Sequence, residues 1–205
     1  MDIQQYFVRS WEVFTSFFAS LLGLTVVVSV CSFCSLGLLA PVLTAGYINS
    51  LLLAMRENRK PELKDAFSHM RLFLPLFGFT LIVAIALLIG YVMLILPGLL
   101  MSIALLFFCL YMLVLMVDRD MGIIDAIRKS SEMAMQPPVL EHIAVITIVG
   151  ILNFLGGSII FGGLVTAPFS TLFVLSVYEA KVVRELPGPE TAGNKPPPPP
   201  PPPGG

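Results

Sequence analysis

Between Glu12 and Arg56, between Arg71 and Asp118, and between Glu141 and Glu179, the chain carries no Asp, Glu, Lys or Arg, and every charged residue lies at or outside those bounds. The three uncharged runs hold 43, 46 and 37 residues. A helix that crosses a bilayer needs about 20 predominantly apolar residues. Each run is therefore long enough for two passes and too long for one. The pattern predicts an all-α, polytopic integral membrane protein with six transmembrane helices arranged as three hairpins.

Composition agrees with that class. Apolar residues make up 57% of the chain and charged residues only 12%, with a mean hydropathy of +0.91, whereas soluble domains carry roughly 25% charge. A water-soluble core is excluded on these grounds, and no nucleic-acid partner is expected. The first apolar run continues well past the apolar region of a cleaved leader, and Val30 does not suit a lipid-modified Cys31, so the N-terminal segment is expected to be retained.

Turn signals sit near the middle of each run: Ser35, Gly37 and Pro41; Leu96-Pro97-Gly98; and Gly156-Gly157-Ser158. Proline has no amide to donate and glycine tolerates unusual dihedrals, so both suit a reversal or a first helical turn. Helices are expected near 15–35, 40–56, 73–95, 99–117, 140–156 and 160–179. Pro168 is expected to kink the sixth, and Ser158 with Gly162 offers a small-residue contact face near its start.

Orientation follows from the connections. Arg56, Arg59, Lys60, Lys64 and Arg71 join the first two hairpins, Arg119, Arg128 and Lys129 join the last two, and Arg9, Lys181 and Arg184 flank the ends. The three opposite turns carry no base. The positive-inside rule then places both termini in the cytoplasm of a bacterial inner (plasma) membrane protein.

A segment with helical spacing of apolar residues precedes each hairpin: Ile3, Tyr6, Phe7, Trp11 and Phe14; Leu63, Ala66, Phe67 and Met70; Ile123, Ile124, Ile127 and Ala134. Each reads as a short amphipathic helix lying along the interface. A shift of 60 residues aligns Ile3, Leu63 and Ile123, then Phe7, Phe67 and Ile127, and puts Arg9, His69 and Lys129 in one column, while Arg9-Ser10-Trp11-Glu12 echoes Lys129-Ser130-Ser131-Glu132 two shifts on. The membrane domain, residues 1–185, thus divides into approximate repeats at 1–60, 61–120 and 121–185. Arg9, Lys64, Arg71, Arg128 and Lys129 are the candidate contacts to anionic lipid headgroups.

Little chemistry is written into the spans. Ionisable groups inside a bilayer are costly and mark function, and the spans carry no Asp, Glu, Lys or Arg. His142 reads as an interfacial residue at the start of the fifth helix, with no second ligand at metal spacing. Cys31-Ser32-Phe33-Cys34 lacks the βαβ context of a redox pair and reads as small apolar filler. Asn49 and Asn153 are polar residues within spans, suited to interhelical hydrogen bonds or to lining a solute path. No phosphate-binding, zinc-protease or nucleophile-elbow motif is present. No metal, cofactor or catalytic residue is predicted.

From 186 to 205 the chain changes character and ends in Pro196–Pro203 followed by two glycines. This tail is expected to be disordered, with its prolines forming an extended polyproline II rod. Such rods suit the aromatic grooves of partner proteins, so Pro196, Pro199 and Pro203 are the candidate contacts for a cytoplasmic protein partner.

The stretch Ala40-Pro41-Val42-Leu43-Thr44-Ala45-Gly46, then Arg56, Pro61 and Asp65-Ala66-Phe67, and later Leu96-Pro97-Gly98 and Asp125-Ala126-Ile127-Arg128-Lys129-Ser130, resembles bacterial multi-pass proteins of uncharacterised function. These are similar to the membrane domain attached to some glycerophosphoryl diester phosphodiesterases. The resemblance covers roughly residues 1–182 and implies six spans with interfacial helices. It carries over no catalytic residue, because the soluble barrel of those enzymes has no counterpart here. The expectation is a non-enzymatic membrane scaffold or accessory protein; the alternative is a small transporter or lipid-handling protein with a path between the hairpins.

Overall fold

The computed structural model describes residues 3–158 and 162–185, with side chains as far as 183. The tail at 186–205, with Pro196, Pro199 and Pro203, lies outside the described residues. Among the described residues nine α-helices follow one another: α1 (Ile3–Ser16), α2 (Phe18–Cys34), α3 (Ala40–Glu57), α4 (Phe73–Met93), α5 (Ile95–Cys109), α6 (Met112–Asp118), α7 (Ile123–Met135), α8 (Val139–Gly157) and α9 (Gly162–Glu185). No strand occurs among the described residues.

Among the described residues four segments are long and apolar enough to cross a membrane: Leu63–Met93, Ile95–Asp118, Val139–Gly157 and Gly162–Val183. Counting α1 and α2 together as one bent span makes five. The expected count of six meets two physical obstacles, both in the first hairpin. α2 has only 17 residues, which at 1.5 Å per residue is shorter than a ~30 Å hydrocarbon core. α3 has 18 but carries Thr44, Asn49, Ser50, Arg56 and Glu57, because it faces protein more than lipid. It is the central helix, packed against α2, α4, α6 and α9, with Leu43, Ala45, Ser50 and Leu51 fully buried.

α1 meets α2 at 86°, the angle expected of an in-plane helix that leads into a crossing one. Tyr6, Ser10 and Phe14, one turn apart, are buried along α9, while Phe7, Val8 and Trp11 are exposed. Phe169 of α9 anchors this contact, its ring centroid lying 5.1 Å from Phe7, 5.8 Å from Phe14 and 5.9 Å from Trp11. The first reversal, between α2 and α3, places Leu36 and Gly37 in the left-handed region, at φ of 52° and 82°. Gly37 suits that conformation because it has no Cβ.

The second interfacial segment is not an α-helix. Leu63–Phe67 and Met70–Leu72 form two short 3-10 turns. A capping box joins Glu62 and Asp65 at the start of the first, and so few residues between Pro61 and α4 cannot repay helix nucleation. The proposed apolar column is not a shared buried face either: Leu63, Phe67 and Phe7 are exposed. Tyr6, Ala66 and Ala126, also 60 residues apart, are the buried ones.

The second reversal comes earlier than expected. Leu94 alone is extended, at φ −162° and ψ 137°, and α5 begins at Ile95. Pro97 and Gly98 then occupy the first turn of α5, where a missing amide costs nothing, and the Tyr91 ring lies over Gly98. The fourth expected helix is interrupted, with α5 and α6 separated at Leu110 and Tyr111. In the third hairpin, α9 runs through Pro168 without interruption. The close contact between α8 and α9 is Gly156 against Thr166, and not the expected Ser158–Gly162 pair, since Ser158 is exposed.

α4 and α5 are the least buried helices, although α4 touches α3 and α5 touches α7. Only Leu76 of α4 and Gly98 of α5 are buried. Leu74, Ile82, Leu88, Val92, Ile95 and Leu100 all present more than half of their surface. Contiguous apolar exposure on this scale requires lipid or another apolar surface around it.

Candidate functional site at the charged end of the bundle

The charged ends of α1, α3, α6 and α9 converge on two carboxylates. Glu179 receives Arg9 at 2.6 Å and Arg56 Nε at 2.8 Å. Asp118 receives both terminal nitrogens of Arg56, the Nη2 contact measuring 3.1 Å, and the Tyr178 hydroxyl at 2.8 Å. Glu179 and Asp118 are 11% and 12% exposed, so the two-pronged guanidinium contact replaces most of their lost hydration. Arg56 is the hub that ties α3 to both α6 and α9.

A third carboxylate fixes the 3-10 turn to α3. Asp65 is buried and accepts from Ser50 Oγ at 2.9 Å, from the Glu62 amide at 3.2 Å and from Arg59. The turn sits so close to α3 that a Cβ on Gly46 would lie 2.2 Å from the Ala66 carbonyl oxygen. The Asp118 contact raises the pKa of Arg56 above its already high range, and the Asp65 contact does the same for Arg59, so both remain cations.

Deeper in the same end lies a cluster of polar side chains from four helices. The Tyr6 hydroxyl donates to Glu141 at 3.2 Å, and Ser10 and Ser176 share a hydrogen bond at 2.9 Å. Lys181, 2% exposed, donates to the Met133 carbonyl at 2.6 Å and stands 5.5 Å from the centre of the Tyr111 ring. His142 is fully buried, which corrects its reading as an interfacial residue. It is held by the Phe107 ring, 4.7 Å between centroids, and by a 2.8 Å bond from its Nε2 to the Phe107 carbonyl. That bond places the proton on Nε2. His142 Nδ1 and the Tyr111 hydroxyl are buried without a partner among the described residues.

The five candidate headgroup contacts are all within reach of carboxylates. Arg9 meets Glu179; Lys64 meets Glu62 at 2.6 Å; Arg71 meets Asp120 at 2.7 Å; Arg128 and Lys129 meet Glu132 at 3.6 and 3.7 Å. Their charge is thereby partly neutralised within the protein. Asn153 is exposed and donates to the Val149 carbonyl of its own helix at 2.8 Å. It lines a crevice of about 280 Å³ together with Ile48, Leu110, Val149, Ser170 and Thr171. Asn49, half-buried on α3, is not part of that lining.

Among the described residues no group of three His, Cys, Asp or Glu is placed to hold a metal ion, and Cys31, Cys34 and Cys109 are free thiols. Of the residues that organise the charged end, Tyr178 carries no sequence signal, while Arg56, Asp118 and Lys181 read only as charges flanking the apolar runs, Ser130 only as part of the repeat and His142 only as an interfacial residue. One signal was present: Ser10 and Ser130 are polar residues on the apolar faces of their helices, and both are fully buried.

Together these features define an all-helical protein with several segments long and apolar enough to span a membrane. No protein-family model, curated protein or solved structure matches the chain.

Proposed function

We propose that this is a non-enzymatic scaffold or accessory protein of the bacterial inner membrane, with six spans in three hairpins and both termini cytoplasmic. The kinship to the uncharacterised multi-pass family belongs to the same proposal. The observation that carries it is a contrast within one chain. The ends of α1, α3, α6 and α9 are cross-braced through Arg56, while the α4–α5 hairpin buries one residue per helix. A rigid bundle with an exposed apolar arm suits a protein that holds the spans of another, and the proline tail offers a second contact in the cytoplasm.

Photocrosslinkers placed at Ile82, Ile89 or Ile103, exposed positions of the arm, test this in the native membrane. The full chain is compared with one ending at Leu186. The proposal expects one protein crosslinked to the arm and a cytoplasmic protein lost on truncation. Crosslinks to lipid alone, with the same proteins recovered from both chains, contradict it.

The crevice beside Asn153 favours a second reading, a transporter or lipid-handling protein. Saturable uptake or lipid transfer in proteoliposomes, lost in Asn153→Leu, supports it. Equal rates with and without the protein remove it.

A further inference from the structure

The interruption between α5 and α6 is built from parts of two other helices. In a continuous α-helix the carbonyl of Phe107 accepts the amide of Tyr111, four residues on. Here the Tyr111 amide donates instead to Ser130 Oγ of α7 at 3.2 Å, and the Phe107 carbonyl accepts from His142 Nε2 of α8 at 2.8 Å. Both side chains are fully buried. Backbone groups freed inside an apolar environment are costly unless matched, and this break has one side-chain partner for each. The break bends the span little, since Ile95–Asp118 still counts as one crossing segment; interruptions of helices have identifiable local causes, and no proline or glycine lies between Phe107 and Asp118 to provide another.

The two sides of the break differ in how firmly they are held. On the α6 side, Met112, Val114, Leu115, Met116 and Val117 are buried, and Asp118 is braced by Arg56 and Tyr178. On the α5 side only Gly98 is buried, and α5 packs most against α4, with α7 as its one substantial neighbour in the bundle. We infer that Leu110–Tyr111 is a hinge on which the α4–α5 hairpin moves against the bundle, and that Ser130 and His142 are the latch of its closed position. When the hairpin swings away, the Tyr111 amide and Phe107 carbonyl can bond to each other, so the latched and continuous helices are two satisfied states of the same backbone. Elements with two discrete arrangements of this kind are what conformational switching uses. This inference does not depend on the function proposed above.

Spin-label distances on the purified full chain in lipid nanodiscs test it. A cysteine-free background carries one label at Leu96, at the exposed tip of the hairpin, and one at Phe154 on α8; a reference pair joins Leu36 and Phe154 within the bundle. The hinge predicts a broader distribution for the Leu96 pair than for the reference pair before any latch residue is changed. Ser130→Ala with His142→Leu removes both latch hydrogen bonds and raises the ratio of longer- to shorter-distance populations by about 25-fold, about fivefold for each net bond lost. His142→Gln alone, which keeps a side-chain donor and leaves Ser130 in place, keeps the starting distribution. A Leu96 distribution as narrow as the reference overturns the inference even if the double variant fails to fold. So does a double variant that folds and leaves the distribution unchanged.

Discussion

Gly46 and Asp65 hold the same contact from opposite sides. The glycine lets the backbone of α3 touch the backbone of the 63–67 turn, and the carboxylate then fixes that turn through Ser50, Arg59 and the Glu62 amide. Because the atoms facing Gly46 are main-chain atoms, they cannot rotate out of the way. Gly46→Ala is expected to destabilise the protein by about 1–3 kcal/mol through forced separation of α3 and the turn. Gly78→Ala on α4, where nothing lies within 4 Å, should be neutral or gain up to about 1 kcal/mol. Thermal unfolding of the two variants in one detergent checks the pair, and equal losses would contradict the close approach. Spacing alone could not reveal this contact. Ala45-Gly46 reads as generic small-residue packing until the turn is placed against it.

At the scale of elements, legibility followed charge. Both ends of α8 and the start of α9 fall within two residues of the expected bounds, because a long apolar run and the glycines after it set them, whereas α9 runs on to Glu185, six residues past its expected end. The interrupted span was not legible. Its cause lies in Ser130 and His142, which are distant in sequence, and nothing between Phe107 and Asp118 marks a break. The second amphipathic segment was misread for a related reason: apolar residues at helical spacing do not distinguish an α-helix from two 3-10 turns when a capping carboxylate sets the geometry. The bracing network leads to a prediction at this scale. Arg56→Ala leaves two nearly buried carboxylates without their shared cation and should lower stability by about 2 kcal/mol, less than a fully buried pair because Arg56 is 40% exposed. Tyr178→Phe should cost about 1 kcal/mol. Arg71→Ala, whose pair with Asp120 is mostly exposed, should stay within about 0.5 kcal/mol. Denaturation in a common detergent ranks the three, and Arg71→Ala proving the most damaging would refute the assignment.

For the molecule as a whole, three uncharged runs were enough to place the chain among helical membrane proteins. They could not say that α3 would become a protein-facing centre or that α4 and α5 would be the least buried helices, since both outcomes depend on packing between distant hairpins. Nor could they show that the basic residues assigned to lipid headgroups sit beside acids. The pairing has a consequence for lipid dependence. Glu132→Gln removes the carboxylate facing both Arg128 and Lys129, so anionic lipid should stabilise this variant more than the parent, by about 1 kcal/mol. A melting-temperature series against phosphatidylglycerol content reads the difference, and identical slopes would count against headgroup contact at α7.

The account rests most heavily on three hairpins whose charged connections all lie on one side of the membrane. Single cysteines at Leu36, Leu94 and Ser158, and at Lys60, Asp120 and Arg128, in a cysteine-free chain, can be probed with an impermeant maleimide in sealed vesicles of known orientation. The first set should react from one face only and the second from the opposite face only. Labelling of Leu36 and Lys60 from the same face would show that α3 does not cross, and would contradict the six-span arrangement directly.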